Sequence, residues 1–311
     1  MALRPLAHGL TRFGPGPGLR PPDIRGVFPM NAPVRTKATA DTGDSRRHDL
    51  LATLNLPRYV LLPGDPDRVK VMAEQWQEAH VVDLPRGYRA AVGSYGGVHI
   101  GAVSTSIGAP SLEIILHDLF RLGIDTFIRV GTTGALRDDI KTGSLIINDA
   151  SVRLDGTTNL YVRPEYPAAA SHEVTFALAD AAATLGHDYR VGTGATSGSF
   201  LAGQGRPGVN GHKSLEGERI FEEMKRAEVL NFEMETAALF TLARLSGLRA
   251  GSVCSVIANR MTGEWGDNGG ILRACQTGAE AIRRLTLWDK RKTSEGVASL
   301  TAATVSPLGQ A

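Results

Sequence analysis

Between about residues 50 and 290, short apolar runs alternate with runs whose apolar positions recur every three or four residues. "YVLLPG" (59–64) reads as a short buried strand, and "VHIGAVST" (98–105) as another. Gly96-Gly97 ahead of the second predicts a hairpin with "YRAAVGSY". Leu112, Ile115, Leu116, Leu119 and Phe120 fall on one helical face and predict an amphipathic helix over 111–123, with Gly123 as its stop. Strands follow at 126–131 and 144–150, a helix near 172–185, and a strand at 190–197. A polar helix near 215–227, a strand at 228–233, a helix at 234–247, a strand at 251–259 and a last helix near 271–288 complete the series. Such alternation predicts an α/β domain: three αβα layers around a mixed, largely parallel central sheet. In such sheets ligands sit at the carboxyl ends of strands.

The ends of the chain have a different texture. Residues 1–45 contain "FGPGPGLRPPDIRG", rich in Pro and Gly and without an apolar period, and are expected to be a disordered extension. Being Arg-rich and acid-poor, the extension superficially resembles a transit peptide; a start at Met30 is the blander alternative. Residues 46–290 are expected to form the domain and 291–311 a flexible tail. The net charge of +2 hides an asymmetry, because the first 40 residues carry five Arg and one Lys against Asp23. The rest is mildly acidic, which argues against a nucleic-acid surface. No stretch is long and apolar enough to span a membrane. Cys254 and Cys275, both in core-like segments, fit a reducing cytoplasm better than a disulfide framework.

Four strand ends hold unusual residues. In "LLPGDPDR" (61–68), Gly64 lets backbone approach an anion and Arg68 offers a forked cation; an ordinary helix-leading turn with Arg68 paired to Asp65 or Asp67 is equally open. In "IRVGTTGALR" (128–137), Arg129 is costly inside an apolar strand unless paired, and Thr132 follows in a glycine-flanked turn; ligand contact competes with a buried ion pair. In "SGSFLAGQGR" (197–206), Phe200 offers a ring face, and Gln204 and Arg206 can read a planar polar edge or simply belong to a surface loop. In "LNFEMETAALF" (230–240), Glu233 and Glu235 mark a strand-to-helix junction and either favour the helix start or accept hydroxyl protons. No GxxxxGK[ST], HExxH or CxxC occurs, and "VGTTGA" fails the GxGxxG spacing, so metal and hydride chemistry have little support.

Taken in order, "PGDPDRV", "STSIGAPS", "FIRVGTTGALR", "ASVRLDG", "FLAGQGR", "NFEMETA" and "VIANR" resemble the nucleoside phosphorylase-I family from about residue 48 to about 285. The resemblance implies phosphorolysis of a pyrimidine nucleoside, uridine and phosphate giving uracil and ribose 1-phosphate. Phosphate would be held by Gly64, Arg68, Arg129, Thr132 and, from a neighbouring subunit, Arg86. Ribose would be held by Met234 and Glu235 with Glu233 nearby, and by His48 reaching from a neighbour. The base would be read by Gln204 and Arg206, with Phe200 and Ile257 packing on it. Arg129, Arg206 and Gln204 would carry the chemistry. Gln204, Arg206 and Ala258, which stands where purine-cleaving relatives place an Asp, favour pyrimidine. The family's "GQER" appears as "GQGR", so Gly205 is expected to loosen the loop. Gly87 follows Arg86 where some members carry a cation-holding Glu, so the resemblance does not carry a potassium site over to this chain; phosphate is implied as a co-substrate, and no cofactor is expected. Homodimers assembled into a hexamer are implied. The rivals are a nucleosidase, a purine phosphorylase and a non-catalytic nucleoside-binding protein.

Overall fold

The computed structural model describes residues 45–305. The expected extension therefore lies outside the described residues, apart from Ser45. In chain order the elements that shape the domain are α1 (Ser45–Thr53), β1 (Tyr59–Pro63), α2 (Pro66–Ala73), β2 (Gln77–Asp83), β3 (Arg89–Tyr95) and β4 (Val98–Val103). Then come α3 (Ala109–Arg121), β5 (Thr126–Ala135), β6 (Leu145–Leu154), β7 (Ala168–Ala169), α4 (His172–Thr184) and β8 (Tyr189–Ser197). The series ends with α5 (Leu215–Arg226), β9 (Asn231–Glu233), α6 (Thr236–Leu245), β10 (Arg249–Asn259), α7 (Gly270–Glu295) and α8 (Ala302–Val305).

The strands form one mixed sheet in the order β10-β6-β8-β9-β5-β1-β4-β3-β2, with β7 beside β6. β10 also pairs with β5, so β5, β10, β6, β8 and β9 close into a ring. β4, β1, β5 and β10 run parallel, which brings their carboxyl ends to one side. Strand alternation divides the core in two. Tyr59 and Leu61 of β1, with Ile128 and Val130 of β5, pack against α2, α4 and α7 through Met72, Leu178, Ile282 and Trp288. Val60, Leu62 and Phe127 face the other way and pack against α1, α3 and α6 through Leu51, Leu112, Ile115 and Phe240. This is the expected three-layer arrangement.

Two stretches differ from the sequence reading. β2 has no apolar alternation, since it is an edge strand exposed along nearly its whole length. α7 runs to Glu295, and the following segment folds back where a tail from residue 291 was expected. Lys292 pairs with Glu173 of α4 at 2.7 Å, the Leu300 N–H donates to the same carboxylate at 3.1 Å, and Leu300 and Val305 pack on the core. Buried partners for a polar stretch have no local periodicity to announce them.

At the amino end of the strands, remote from the cleft described below, Arg249 donates to both oxygens of Asp289 at 3.0 and 2.6 Å. Burial works against the Asp289 charge, but Arg249, Tyr59 and Lys292 outweigh it and hold its pKa down to about 2. A carboxyl depressed in the folded state contributes stability above its unfolded pKa, and loses it as pH falls through the folded value. Asp289→Asn is therefore expected to destabilise the protein near neutral pH by on the order of 2 kcal/mol, between the exposed and buried limits for ion pairs. The gap from wild type should close between about pH 4 and pH 2. Urea melts across that range test this, and a gap independent of pH would contradict it.

Candidate active site

The carboxyl ends of β1, β4, β5 and β10, with the loops after β8 and β9, enclose a cleft of about 550 Å³. Gly64 and Arg68 enter it from the β1–α2 turn. Asp65 caps α2 by accepting from the Asp67 N–H at 2.9 Å, and Asp67 pairs with Arg89 at 2.6 Å. Neither acid is therefore ion-paired to Arg68, and the alternative of a self-contained turn falls away. Arg68 is buried, and its Nη1 donates to the Val130 carbonyl at 2.9 Å. Its Nε is buried without a partner among the described residues. Burial pushes the Arg68 pKa down, and the nearby Arg129 adds to the effect.

Arg129 makes the buried ion pair that one of its two readings expects. Its Nε donates to Glu233 at 2.9 Å and its Nη2 pairs with Glu235 at 2.6 Å, while Nη1 is buried without a partner among the described residues. Burial alone would lower its pKa; Glu235 and Glu233 overcome that and raise it. Glu233 also accepts from the Thr196 hydroxyl and from the backbone N–H groups of Glu235 and Thr236. Glu235 accepts from the Gly108 N–H at 2.5 Å. Burial pushes the Glu235 carboxyl up, opposed by Arg129 and reinforced by Glu233. Gly131 makes room for this cluster, because a Cβ there would lie 2.7 Å from Cys254 Sγ and 2.8 Å from Arg129 Nη2. Thr132 and Met234 also line the cleft.

Another part of the cleft is built around Arg206. Its guanidinium lies 4.6 Å from the Phe200 ring centre and 5.7 Å from that of Trp265. Among the described residues no carboxylate pairs with it, and its Nε is buried without a partner. Burial lowers its pKa. Gln204 is buried, and its backbone carbonyl accepts from both terminal nitrogens of Arg260 at 3.1 and 3.0 Å. Ile257 sits at the irregularity where β10 slips register against β5, which turns it into the cleft beside Ala258. Gly205 does not loosen the loop. It is left-handed at φ 66°, and a Cβ there would stand 2.9 Å from both the Gly217 carbonyl and Phe221 Cβ of α5. The glycine is what lets the loop press against that helix.

The structure thus brings Gly64, Arg68, Arg129, Thr132, Phe200, Gln204, Arg206, Glu233, Met234, Glu235 and Ile257 together. Arg86 and His48 do not line the cleft of their own chain. Arg86 is exposed on the turn before β3, at φ 63°, and His48 lies on α1. In the sequence "STSIGAPS" stood out only for its place in the order, and "VIANR" only for Ile257 and Ala258. Sequence reasoning missed Ser106 and Ile107 at the cleft, Arg260 behind Gln204, and Trp265, which no motif contains.

Residues 58–287 match the model of the Phosphorylase superfamily. The chain is 48% identical over 242 residues to a uridine phosphorylase of Thermococcus kodakarensis, covering 78% of this chain and 87% of that protein. It is 39% identical to a uridine phosphorylase of Escherichia coli, over 64% of this chain and 79% of that protein. To a guanosine phosphorylase of Halorubrum lacusprofundi the identity is 32%, over 70% of this chain and 84% of that protein.

The clearance at Gly131 makes the charged cluster testable. Gly131→Ala is expected to displace Arg129 from its carboxylates and destabilise the fold by about 3 kcal/mol, as overpacking and a weakened buried ion pair combine. A urea melt reads the change; wild-type stability would show that the cluster does not need this clearance.

Proposed function

The chain belongs to the phosphorylase superfamily, and on that premise we propose that its cleft catalyses phosphorolysis of uridine to uracil and ribose 1-phosphate. The observation that carries this reading is the set of buried arginine N–H groups without partners among the described residues: Arg68 Nε, Arg129 Nη1 and Arg206 Nε, all on residues that line one cleft. Buried donors ordinarily find acceptors, so such a set fits a site completed by a ligand.

In this reading Gly64, Arg68, Arg129 and Thr132 hold inorganic phosphate, which is a co-substrate, and no organic cofactor enters the reaction. Met234 and Glu235 hold the ribose, with Glu233 fixing both Arg129 and the start of α6. Gln204 and Arg206 read the uracil edge, and Phe200 and Ile257 pack on the ring. An oxygen of phosphate attacks the anomeric carbon as the carbon–nitrogen bond breaks, and the bonding pair leaves with the base. Positive charge grows on the sugar beside phosphate, and negative charge grows on uracil beside Arg206. Holding the nucleophile in place removes much of the entropic barrier. Arg206, uncompensated by any described carboxylate, is positioned to stabilise the leaving base.

A hydrolytic reading has less use for several arginines around one anion site. A purine reading draws on the guanosine phosphorylase relative. Ala258, buried at the cleft wall, offers no proton to a purine nitrogen. We further assign the protein to the cytoplasm and to homodimers that build a hexamer, with Arg86 and His48 completing a neighbour's phosphate and ribose sites. The exposure of Ile107 at the cleft, 75%, supports a covering subunit there.

The test is uracil release from uridine with and without inorganic phosphate, with inosine as a control. Release from uridine only when phosphate is present is expected. Release without phosphate would make the enzyme a hydrolase, and inosine cleavage would overturn the base assignment. Arg206→Ala should lower uridine turnover by about a hundredfold, the scale of one preorganised donor, while phosphate still raises the melting temperature. For the shared site, mixing Arg86→Ala with Arg68→Ala chains should regain activity that neither has alone. Absence of recovery in mixed oligomers would argue against sharing.

A further inference from the structure

Arg206 poses a physical problem that the roles above leave open. A long side chain bearing a charge needs something to hold it still, and arginines elsewhere in this fold are held by acceptors. Arg153 donates to the carbonyls of Val162, Arg163 and Tyr166, and Arg249 grips Asp289. Arg206 has no such acceptor among the described residues, and its near neighbour Arg260 repels it. A carboxylate would fix Arg206 but would also neutralise the charge and occupy the N–H groups that the leaving base requires. Aromatic faces do neither. They attract a guanidinium through its flat face and leave its in-plane donors free.

Two rings meet this need, Phe200 from the loop after β8 and Trp265 from the turn after β10. Trp265 is 62% exposed, a large apolar area left toward solvent unless the ring serves the cleft. Its backbone is tightly placed. Trp265 bridges to Ala258, the Gly266 N–H donates to the Ile257 carbonyl at 3.1 Å, and the Asn259 N–H donates to the Glu264 carbonyl at 2.9 Å. The Asn259 side chain accepts from the Met261 and Thr262 N–H groups at 2.8 and 3.0 Å and donates to the Ile140 carbonyl at 2.7 Å. The Glu264 side chain takes the Thr142 hydroxyl. The indole is thus carried on a hairpin with internal hydrogen bonds and ties to the body of the domain.

We propose that Trp265 is a positioning residue for the base-reading guanidinium: its ring face holds Arg206 in place without consuming its charge or its donors. The inference rests on the uridine reading for its catalytic consequence, but not for the clamp itself. Trp265→Leu removes the π face and keeps apolar bulk, whereas Trp265→Phe keeps a face. Trp265→Leu should lower kcat for uridine about fivefold, the upper scale of an exposed cation–π contact. It should leave the melting temperature, and its increase with inorganic phosphate, unchanged. Trp265→Phe should return kcat to within about twofold of wild type.

Phenylglyoxal labelling of Arg206, followed by mass spectrometry on the free protein, reads the clamp without turnover. Arg206 should label faster in Trp265→Leu than in wild type or Trp265→Phe, and Trp265→Gln serves as a second non-aromatic variant if the Leu protein folds poorly. Equal labelling in all variants would overturn the proposal, as would a Phe variant as impaired as the Leu variant. A wild-type protein that fails to release uracil would instead overturn the reaction assigned above, while the order of labelling would still decide the role of Trp265.

Discussion

The cleft depends on the burial of Arg129 between Glu233 and Glu235. Three charges taken out of water are costly, and they are tolerated only where attraction and hydrogen bonds satisfy nearly all of their polar atoms. Here the satisfaction is distributed over the fold. Arg129 lies on β5, Glu233 on β9, and Thr196, which donates to Glu233, on β8. The N–H groups that reach Glu233 open α6, and the Gly108 N–H that reaches Glu235 precedes α3. Completing one buried ion cluster therefore fixes the relative positions of three strands and two helix starts. The one terminal nitrogen left over, Nη1, belongs to the phosphate site in the proposed reading.

Near Arg206 the cleft follows the opposite electrostatic plan. Arg129 is balanced by two acids, whereas Arg206 rests on aromatic rings with no acid paired among the described residues. The contrast matches the proposed chemistry. Phosphate arrives already charged and is to be oriented, whereas uracil acquires its charge only as the bond breaks. A guanidinium whose charge has not been cancelled responds most to charge that develops late. Stability is supplied elsewhere, in the two layers of apolar packing and in the ion network of Arg249, Asp289, Glu173 and Lys292 at the amino ends of the strands.

Much of this was legible in the chain. Apolar runs and helical periods marked most elements because burial on both faces of a sheet imposes them directly on sequence. Gly64, Arg68, Arg129 and Glu233 stood out as polar or flexible residues at strand ends, where an apolar core gives them no ordinary reason to be. β2 escaped because an exposed edge strand needs no apolar alternation. The segment after residue 291 escaped because its partner, Glu173, lies more than a hundred residues away.

Local periodicity and residue chemistry were enough to establish the layered α/β fold, the order of its strand ends and the cations and carboxylates they carry. How those groups share their bonds was settled by folding alone. Arg129 is both ion-paired and left with a free donor, Gly205 tightens its loop against α5, and Trp265 faces Arg206. The Arg129 and Arg206 contacts depend on atoms brought together across the sheet by closure of the β5–β10–β6–β8–β9 ring, and no local pattern in the chain encodes a contact between residues that meet only after the ring has closed.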